Sequence, residues 1–401
     1  MSHRPGFTLS MWTGIRFRSW VRVLARHGFR VSPSRIPRAL GITAASVASE
    51  MLAAMQAVCW GRGVRAARIA HDPIVILGHW RSGTTLLHEL LACDPRLVAP
   101  STIQCAAPSH FVLSEQFAIE RLGFLLPERR PMDAMRLGFA RPQEDELALC
   151  NLGLPSPWWA VAFPDDPPPD PDYETLETLP AAARRRWITA WTGFLRAIQF
   201  EHPGRLVLKN PLHTYRIPLI REVFPAADFI HIVRDPHDLV PSCLHFWRRI
   251  AEDHGVQRPR GVDLEDRVFA SILRMQRRLA ATWHAVPPAH RYQTRYEDLV
   301  ADPLAVLHHI YDHFGWPGRE AAEPHWRAHL AAERGYRRND LPLDDRLGRR
   351  IAAELGEVLA ETGYRVRPSS PATSSAKAAA DVESNTNPSS SRSRADDITH
   401  G

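Results

Sequence analysis

Short apolar runs alternate with longer stretches of helical periodicity along most of the chain. Three runs predict buried parallel strands, because a strand covered on both faces is apolar throughout: PIVILG (73–78), RLVLK (205–209) and DFIHIV (228–233). A fourth strand is predicted over 291–296. Helical spacing predicts helices over 85–92, 184–200, 215–224, 238–249, 268–285 and 303–314. This order predicts an α/β fold with a mostly parallel sheet flanked by helices.

The same pattern divides the chain into three parts. Residues 1–72 are helical and basic, and residues 73–367 carry the α/β pattern. Within the second part, 101–204 is less regular and is expected to lie over the sheet edge as an insertion that forms the acceptor region. Its proline-rich segments 155–159 and 164–172 are not expected to form regular structure, because proline removes backbone donors. Residues 368–401 contain almost no large apolar side chains and are expected to be disordered.

The first 72 residues allow two interpretations. Their apolar side chains are expected to share one helical face: Trp20, Val21, Val23, Leu24 and Phe29. Such a helix either packs on the core or, because arginines surround it, makes peripheral contact with a membrane surface or a partner. No signal peptide is predicted, and polar residues interrupt the apolar stretch 39–60, so no transmembrane helix is predicted.

Composition and charge narrow the class of ligand. The 401 residues carry a net charge of +6 and a pI of about 9.3, which suits an anionic ligand or surface but is also common in arginine-rich proteins. No nucleic-acid partner is expected. The five cysteines are scattered without CxxC spacing, so neither a zinc site nor a disulfide framework is indicated. A reducing, cytoplasmic location follows.

A glycine-bounded turn, GHWRSGTT (78–85), joins the first strand to its helix. Gly78 and Gly83 let the backbone approach a phosphate, and the amides at the helix N-terminus form an anion cradle. The candidate nucleotide-binding residues are His79, Trp80, Arg81, Ser82, Gly83, Thr84 and Thr85. A Walker loop requires lysine where Thr84 stands, so an ATP or GTP hydrolase is disfavoured.

A second candidate anion site begins where the strand 228–233 ends. Arg234 emerges at the carboxyl edge of the sheet, where ligands bind in open α/β folds. Asp238 is expected to cap the next helix, and Ser242 lies one turn into it, so Arg234 and Ser242 could converge on one anion. The alternative is a salt bridge of Arg234 with Asp235 or Asp238. Two anion sites on one edge predict a nucleotide with two separated phosphate groups.

Together these segments resemble the sulfotransferase superfamily. Its 5′-phosphosulfate motif matches RSGTT (81–85), and its 3′-phosphate motif matches Arg234, Asp235, Pro236, Asp238, Ser242 and Phe246. RYEDL (295–299) resembles the family segment whose tyrosine, here Tyr296, lies near the adenine. The resemblance covers about 73–315 and is strongest to bacterial sulfotransferases. It implies a P-loop-containing nucleotide hydrolase-like fold and 3′-phosphoadenylyl sulfate (PAPS) as the sulfuryl donor.

The resemblance also implies a mechanism by in-line transfer. Arg81 and Lys209 are the expected catalytic cations, because related enzymes carry lysine at the end of this strand. The acceptor must lose a proton, and the candidate bases are His213, His110, Glu144 and Glu146. The two glutamates could equally be favourable charges at a helix start. No metal is expected, and the acceptor is a small molecule, a lipid or a glycan.

Several points stay open at this level. The glycine- and lysine-rich C-terminal segment of cytosolic sulfotransferases has no clear counterpart, and residues 336–339 (YRRN) are a candidate replacement. Trp158, Trp159 and Phe163 either pack in the core or line the acceptor pocket. A small-molecule kinase and a non-catalytic, membrane-associated protein with a vestigial nucleotide site are the alternative functions.

Overall fold

A parallel sheet forms the centre of the protein. A computed structural model describes residues 10–126, 129, 135–166, 172–260, 263–333 and 341–367. Within them the sheet has five strands in the order β2-β3-β1-β4-β5, and every neighbouring pair is parallel. The strands are β1 (Ile74–Leu77), β2 (Leu97–Val98), β3 (Arg205–Lys209), β4 (Asp228–Val233) and β5 (Arg291–Arg295).

Helices connect the strands and precede the first of them. In chain order they are α1 (Phe17–Arg26), α2 (Ile36–Cys59), α3 (Gly61–Ala66), α4 (Thr84–Leu91), α5 (Thr102–Ala106), α6 (Phe111–Arg121), α7 (Asp145–Asn151), α8 (Trp159–Ala162), α9 (Asp172–Thr175), α10 (Ala181–Glu201), α11 (Ile217–Val223), α12 (Pro236–His254), α13 (Leu264–Trp283), α14 (Tyr296–Ala301), α15 (Pro303–Phe314), α16 (Arg319–Ala332), α17 (Asp345–Glu354) and α18 (Gly356–Glu361). A 3₁₀ turn, Pro211–Tyr215, follows β3.

The two faces of the sheet contribute side chains to two different apolar clusters, because successive side chains of a strand point to opposite faces. Val75 and Leu77 of β1 pack with the N-terminal helices and α10. Ile74 and Ile76 pack instead with α4, α15 and α16. The sheet is therefore covered on both sides, which confirms the α/β fold with a parallel sheet flanked by helices.

Strand register brings three strand ends together at the carboxyl edge. Ile76 of β1 is paired with Lys209, the last residue of β3, and Leu77 is paired with His231 of β4. The turn that begins at Gly78 therefore emerges between the ends of β3 and β4. This is the edge where the sequence predicted the ligand.

The predicted strands and helices are present, with shifts at their ends. The helix predicted over 303–314 has those bounds as α15. The segment 215–224 is a 3₁₀ turn followed by α11, because Pro218 lies in the first turn of α11 and begins it rather than interrupting it. The two-residue strand β2 was not predicted, since two residues carry no periodicity.

The region 101–204 contains more regular structure than expected. The segment 155–159 was expected to lack regular structure, but its last residue, Trp159, begins α8, which extends to Ala162. The prolines of the segment 155–159 precede this helix, where no backbone donor is needed. Trp158, Trp159 and Phe163 are buried in the main core with α10, and Trp12 stacks on Trp159 at 4.7 Å, so these aromatic residues pack rather than line an open pocket.

The N-terminal helices pack on the main cluster but not by the predicted face. Trp20 and Val23 of α1 are buried, whereas Val21 and Phe29 are exposed. The helical segment Pro33–Cys59 is long and apolar enough to cross a membrane, but core helices of soluble proteins meet the same criterion, so the expected absence of a transmembrane helix stays a prediction. Only 28% of its most apolar stretch is buried inside the protein.

Three predictions fall wholly or partly outside the described residues. The candidate clamp at 336–339 and the tail expected to be disordered, 368–401, lie outside them entirely. The proline-rich segment 164–172 lies mostly outside them.

Candidate active site

The turn after β1, residues 78–85, is called the phosphate loop. Its backbone enters the left-handed region at Gly78 (φ +144°), Arg81 (φ +72°) and Gly83 (φ +100°). A Cβ atom at Gly83 would lie 2.3 Å from the ring of Tyr296, so this position requires glycine. The backbone N–H of Gly78 donates to the hydroxyl of Thr214 at 3.0 Å, which ties the loop to the 3₁₀ turn that follows β3. An arginine with positive φ is a strained conformation of the kind found at functional sites.

Three loop side chains hold the loop rather than face a ligand. Ser82 donates its hydroxyl to the carbonyl of His79 at 2.8 Å. The His79 ring lies 3.1 Å from both the Ser271 hydroxyl and the Trp80 carbonyl, and burial lowers its pKa to about 4. Trp80 is buried against Trp247. The side chains of His79, Trp80 and Ser82 thus stabilise the loop, and their contact with a nucleotide stays a prediction.

The first turn of α4 leaves its backbone donors available. Gly83 precedes the helix, and no side chain caps it. Thr84 is buried, while Arg81 and Thr85 are partly exposed. Uncapped amides at a helix N-terminus beside an accessible arginine form a site suited to a phosphate or sulfate group.

The second anion site touches the first directly. The guanidinium of Arg234 donates to the main-chain carbonyl of Arg81 at 2.8 Å. The Arg81 Nε in turn donates to the hydroxyl of Ser242 at 3.1 Å, and its guanidinium lies over the Phe246 ring. The Arg234 guanidinium lies 4.6 Å from the centre of the Tyr296 ring. Tyr296 thus supports both the phosphate loop and Arg234, and its contact with adenine stays a prediction.

The aspartates that follow Arg234 have other roles than those expected. Asp235, not Asp238, caps α12, because its side chain accepts from the N–H of His237 at 2.9 Å. Both carboxylates bind Arg367, with Asp235 at 2.6 Å and Asp238 at 3.1 Å. The C-terminal end of the described chain is therefore fastened to the start of α12, next to Arg234 in sequence, a contact that no local sequence pattern indicates.

Lys209 and Glu144 form an ion pair at the end of β3. The Lys209 Nζ lies 2.7 Å from Oε1 of Glu144, and the lysine is 3% exposed. The second carboxylate oxygen of Glu144 has no hydrogen-bond partner among the described residues. One oxygen is therefore held by a cation, while the other is enclosed and has no hydrogen-bond partner among the described residues.

A buried polar network around Asp145, the residue after Glu144, lies next to this pair. Asp145 accepts hydrogen bonds from Trp191 at 2.8 Å and Asn210 at 3.1 Å, and lies 2.9 Å from Nε2 of His213. Burial alone would raise the pKa of Asp145, but the charge and hydrogen bond of His213, with the Trp191 and Asn210 hydrogen bonds, lower it overall. Glu146, the next acidic residue, is also enclosed and pairs with Arg216 at 2.6 Å.

His213 belongs to this network and is fully buried. Its Nε2 lies against Asp145, whereas its Nδ1 has no hydrogen-bond partner among the described residues, so the enclosed position favours a supporting role and the role of base stays a prediction. The same holds for Glu146, whose carboxylate is occupied by Arg216, Asn210 and Ser156. The sequence did not indicate that His213 binds an acidic residue of α7, because the contacts of this network join residues 60 to 70 positions apart along the chain.

Comparison with known proteins decides the family. The model of the sulfotransferase family matches residues 73–320. The omega-hydroxy-beta-dihydromenaquinone-9 sulfotransferases Stf3 of Mycobacterium tuberculosis and Mycobacterium bovis are each 38% identical over 354 residues, covering 88% of this chain and 91% of the relative. The chain belongs to the sulfotransferase family. It is a sulfotransferase, and an ATP-dependent kinase is thereby excluded.

Solved sulfotransferases share the fold. The structure of STF9 from Mycobacterium avium matches with a TM-score of 0.59 and 19% identity, covering 91% of this chain and 99% of STF9. STF1 from Mycobacterium tuberculosis matches with a TM-score of 0.56 and 20% identity, covering 79% and 88%. At this identity the likeness shows the P-loop-like fold of the sulfotransferase and nothing finer.

The remaining candidate base of the sulfotransferase, His110, lies apart from the ion pair. It precedes α6, and its Nδ1 lies 2.9 Å from the hydroxyl of Ser114. Among the described residues no hydrogen bond joins it to Lys209, Glu144 or the phosphate loop. Burial lowers its pKa to about 4, which makes it a weak base. The structure thus brings Arg81, Arg234, Ser242 and Tyr296 together and leaves His110 outside.

A cavity of the sulfotransferase adjoins the phosphate loop. It is lined by His79, Ser82, Thr214 and Arg234, together with apolar side chains of α13. Within the described ranges no group of three or more His, Cys, Asp or Glu side chains could hold a metal ion.

Proposed function

We propose that the enzyme binds PAPS between the phosphate loop and Arg234 and transfers its sulfuryl group to a hydroxyl of a lipid acceptor, with Glu144 as the general base. The observation that carries this proposal is the Lys209–Glu144 pair beside the loop. In this pair the Nζ of Lys209, a cation for the sulfuryl group, lies 2.7 Å from Oε1 of Glu144, and Oε2 of the same carboxylate, which has no hydrogen-bond partner among the described residues, is left for the acceptor proton.

The donor fits the two anion sites. The 5′-phosphosulfate would lie on the amides of α4 with Arg81 beside it, and the 3′-phosphate would lie at Arg234. Arg81 and Arg234 are joined through the Arg81 carbonyl, so both ends of one nucleotide would be held by a connected unit. Preorganised cations of this kind stabilise the charge that grows on the leaving phosphate without reorganisation.

The transfer step then needs one proton acceptor. The Oε2 of Glu144 takes the proton of the acceptor hydroxyl, and the freed oxygen forms a bond to sulfur. The bond between sulfur and the bridging oxygen breaks, and its electron pair goes to the 5′-phosphate, where Arg81 and Lys209 balance the charge. The products are a sulfate ester and 3′,5′-ADP.

The acceptor class comes from the relatives. Stf3 acts on an omega-hydroxylated dihydromenaquinone according to its name. Its sequence is 38% identical to this chain over an alignment that covers 88% of the chain. A long apolar molecule with a terminal hydroxyl is therefore the proposed acceptor, ahead of a glycan or a water-soluble metabolite. All five cysteines are free thiols, which supports a cytoplasmic enzyme, and a lipid acceptor supports peripheral contact with the membrane.

The test incubates the purified full chain with PAPS and either a hydroxylated isoprenoid quinone, a glycan mixture or water-soluble alcohols, and detects products that gain SO₃ by mass spectrometry. We expect a sulfated lipid. Glu144→Gln should lower kcat by about 10² to 10⁴ while 3′,5′-ADP binding is kept. Glu115→Gln, a carboxylate near His202 and away from the pair, is the matched control and should keep full activity.

Two outcomes would contradict the proposal. A chain that binds 3′,5′-ADP but sulfates none of these acceptors would be a non-catalytic nucleotide-binding protein. Full activity of Glu144→Gln would remove Glu144 from the mechanism.

A further inference from the structure

The outward face of α2 is apolar along its whole length. Its exposed large apolar side chains are Ile36, Leu40, Val47, Met51, Met55 and Val58. With 100° between successive helical residues these positions fall within one side of the helix. Val58 is 86% exposed and Met51 is 65% exposed. A contiguous stripe of this kind is unusual on the surface of a soluble protein and marks an interaction site.

Polar residues beside and opposite this stripe fasten α2 to the protein. Thr43 accepts a hydrogen bond from the indole of Trp20 at 2.9 Å. Glu50 pairs with Arg16 at 2.5 Å, and Gln56 accepts from the N–H of Leu113 at 3.2 Å. A helix that crossed the bilayer would break these contacts and bury Glu50 in hydrocarbon. The helix therefore lies along the body of the protein with one face outward.

Neighbouring elements extend this face and surround it with positive charge. Phe17 and Val21 of α1, which packs on α2, are exposed, as is Phe29 after it. Five exposed arginines flank the helices and form no ion pair with any described residue: Arg22, Arg26, Arg62, Arg65 and Arg68. Between residues 39 and 61 the only charged side chain is the paired Glu50. The apolar stripe and its arginines are called the α1–α2 face.

We propose that the α1–α2 face docks the enzyme on an anionic lipid bilayer. The apolar stripe enters the boundary between headgroups and acyl chains, and the arginines contact headgroup phosphates. Charge favours this occupant over a second copy of the chain, because a symmetric dimer would bring the arginines of both copies together. The inference rests on this surface alone, and it gives the proposed lipid acceptor a route from the membrane.

The test is flotation of the full chain with vesicles of phosphatidylcholine alone or mixed with phosphatidylglycerol, at low and high salt. We expect binding to the anionic vesicles that weakens as salt rises. Met51→Glu combined with Met55→Glu should lower the bound fraction at least about tenfold, because it places charge in the stripe. Val300→Glu is the matched control, since Val300 is exposed elsewhere on the protein, and it should bind as the wild type does.

Three results would overturn the inference. They are a wild type that stays with the soluble fraction, a double variant that still floats, and a wild-type dimer that the double variant converts to monomers without any vesicle binding. Binding of 3′,5′-ADP and sulfation of a detergent-dispersed acceptor are measured in parallel, and the double variant should keep both. Vesicle binding without turnover would contradict the proposed function and leave the docking surface standing.

Discussion

Arg234 donates a hydrogen bond of 2.8 Å to the main-chain carbonyl of Arg81, which joins two motifs that are 153 residues apart. Arg81 has positive φ, and this contact holds its carbonyl in place. The two candidate anion sites are therefore directly connected, and we expect a substitution at one site to alter the geometry of the other. Each site also packs on the ring of Tyr296.

Gly83→Ala should weaken nucleotide binding. Its φ of +100° disfavours any side chain, and the new Cβ would lie 2.3 Å from the Tyr296 ring. We expect a loss of about 1–3 kcal/mol in the free energy of unfolding and at least about a tenfold loss in 3′,5′-ADP affinity by calorimetry. Gly315→Ala is the control, because Gly315 also has positive φ but has no neighbour within 4 Å. A Gly83→Ala enzyme that binds normally would contradict the account of the loop.

His213 and Glu144 should behave differently when each is replaced. His213→Ala leaves the buried Asp145 without its main partner and should cost about 3–5 kcal/mol of stability. His213→Gln should recover much of that stability and retain the wild-type dependence of kcat/KM on pH. Glu144→Gln should remove the acidic limb of the same profile, because the base is lost. An acidic limb that disappears only in the His213 variants would restore His213 as the base.

Buried histidines should make the protein sensitive to acid. Burial lowers the pKa of His88 to about 3, and His79 and His231 to about 4, while the unfolded chain titrates near its ordinary value of about 6.5. Between these values the unfolded state binds more protons, so stability is complete above about pH 6.5 and is lost as the pH falls.

Urea unfolding at pH 7, 6 and 5 measures this dependence. Each such histidine contributes a slope of up to about 1.4 kcal/mol per pH unit, and His88→Gln should reduce the wild-type slope by about that amount. His309→Gln, which replaces an exposed histidine, is the control. An unchanged slope in His88→Gln would mean that His88 is not neutral in the folded protein.

Much of the fold followed from local pattern. The strands β1, β3 and β4 are continuous apolar runs, and the loop and Arg234 follow them directly, so topology alone predicted their meeting. Arg81 and Arg234 were found because strand ends carry them to one edge. The two-residue strand β2 and the short helix α8 were missed because they have too few residues for periodicity to act.

The pair proposed to be catalytic shows what the sequence alone could not predict. Lys209 and Glu144 were each candidates, but their pairing across 65 positions depends on how α7 packs. His213 was another candidate base, whereas its burial against Asp145 and Trp191 favours a supporting role. The exposed apolar face of α2 was not predicted either, because the sequence does not show which side of an apolar helix the core covers.

The affinity of 3′,5′-ADP compared with 5′-ADP, in the wild type and in Arg234→Ala, tests the central claim most directly. The account predicts that the wild type prefers 3′,5′-ADP by at least about tenfold and that Arg234→Ala removes most of this preference. Arg291→Ala, a cation at the opposite end of the sheet, should keep it. A wild type without preference, or an Arg234→Ala variant that retains it, would contradict the account.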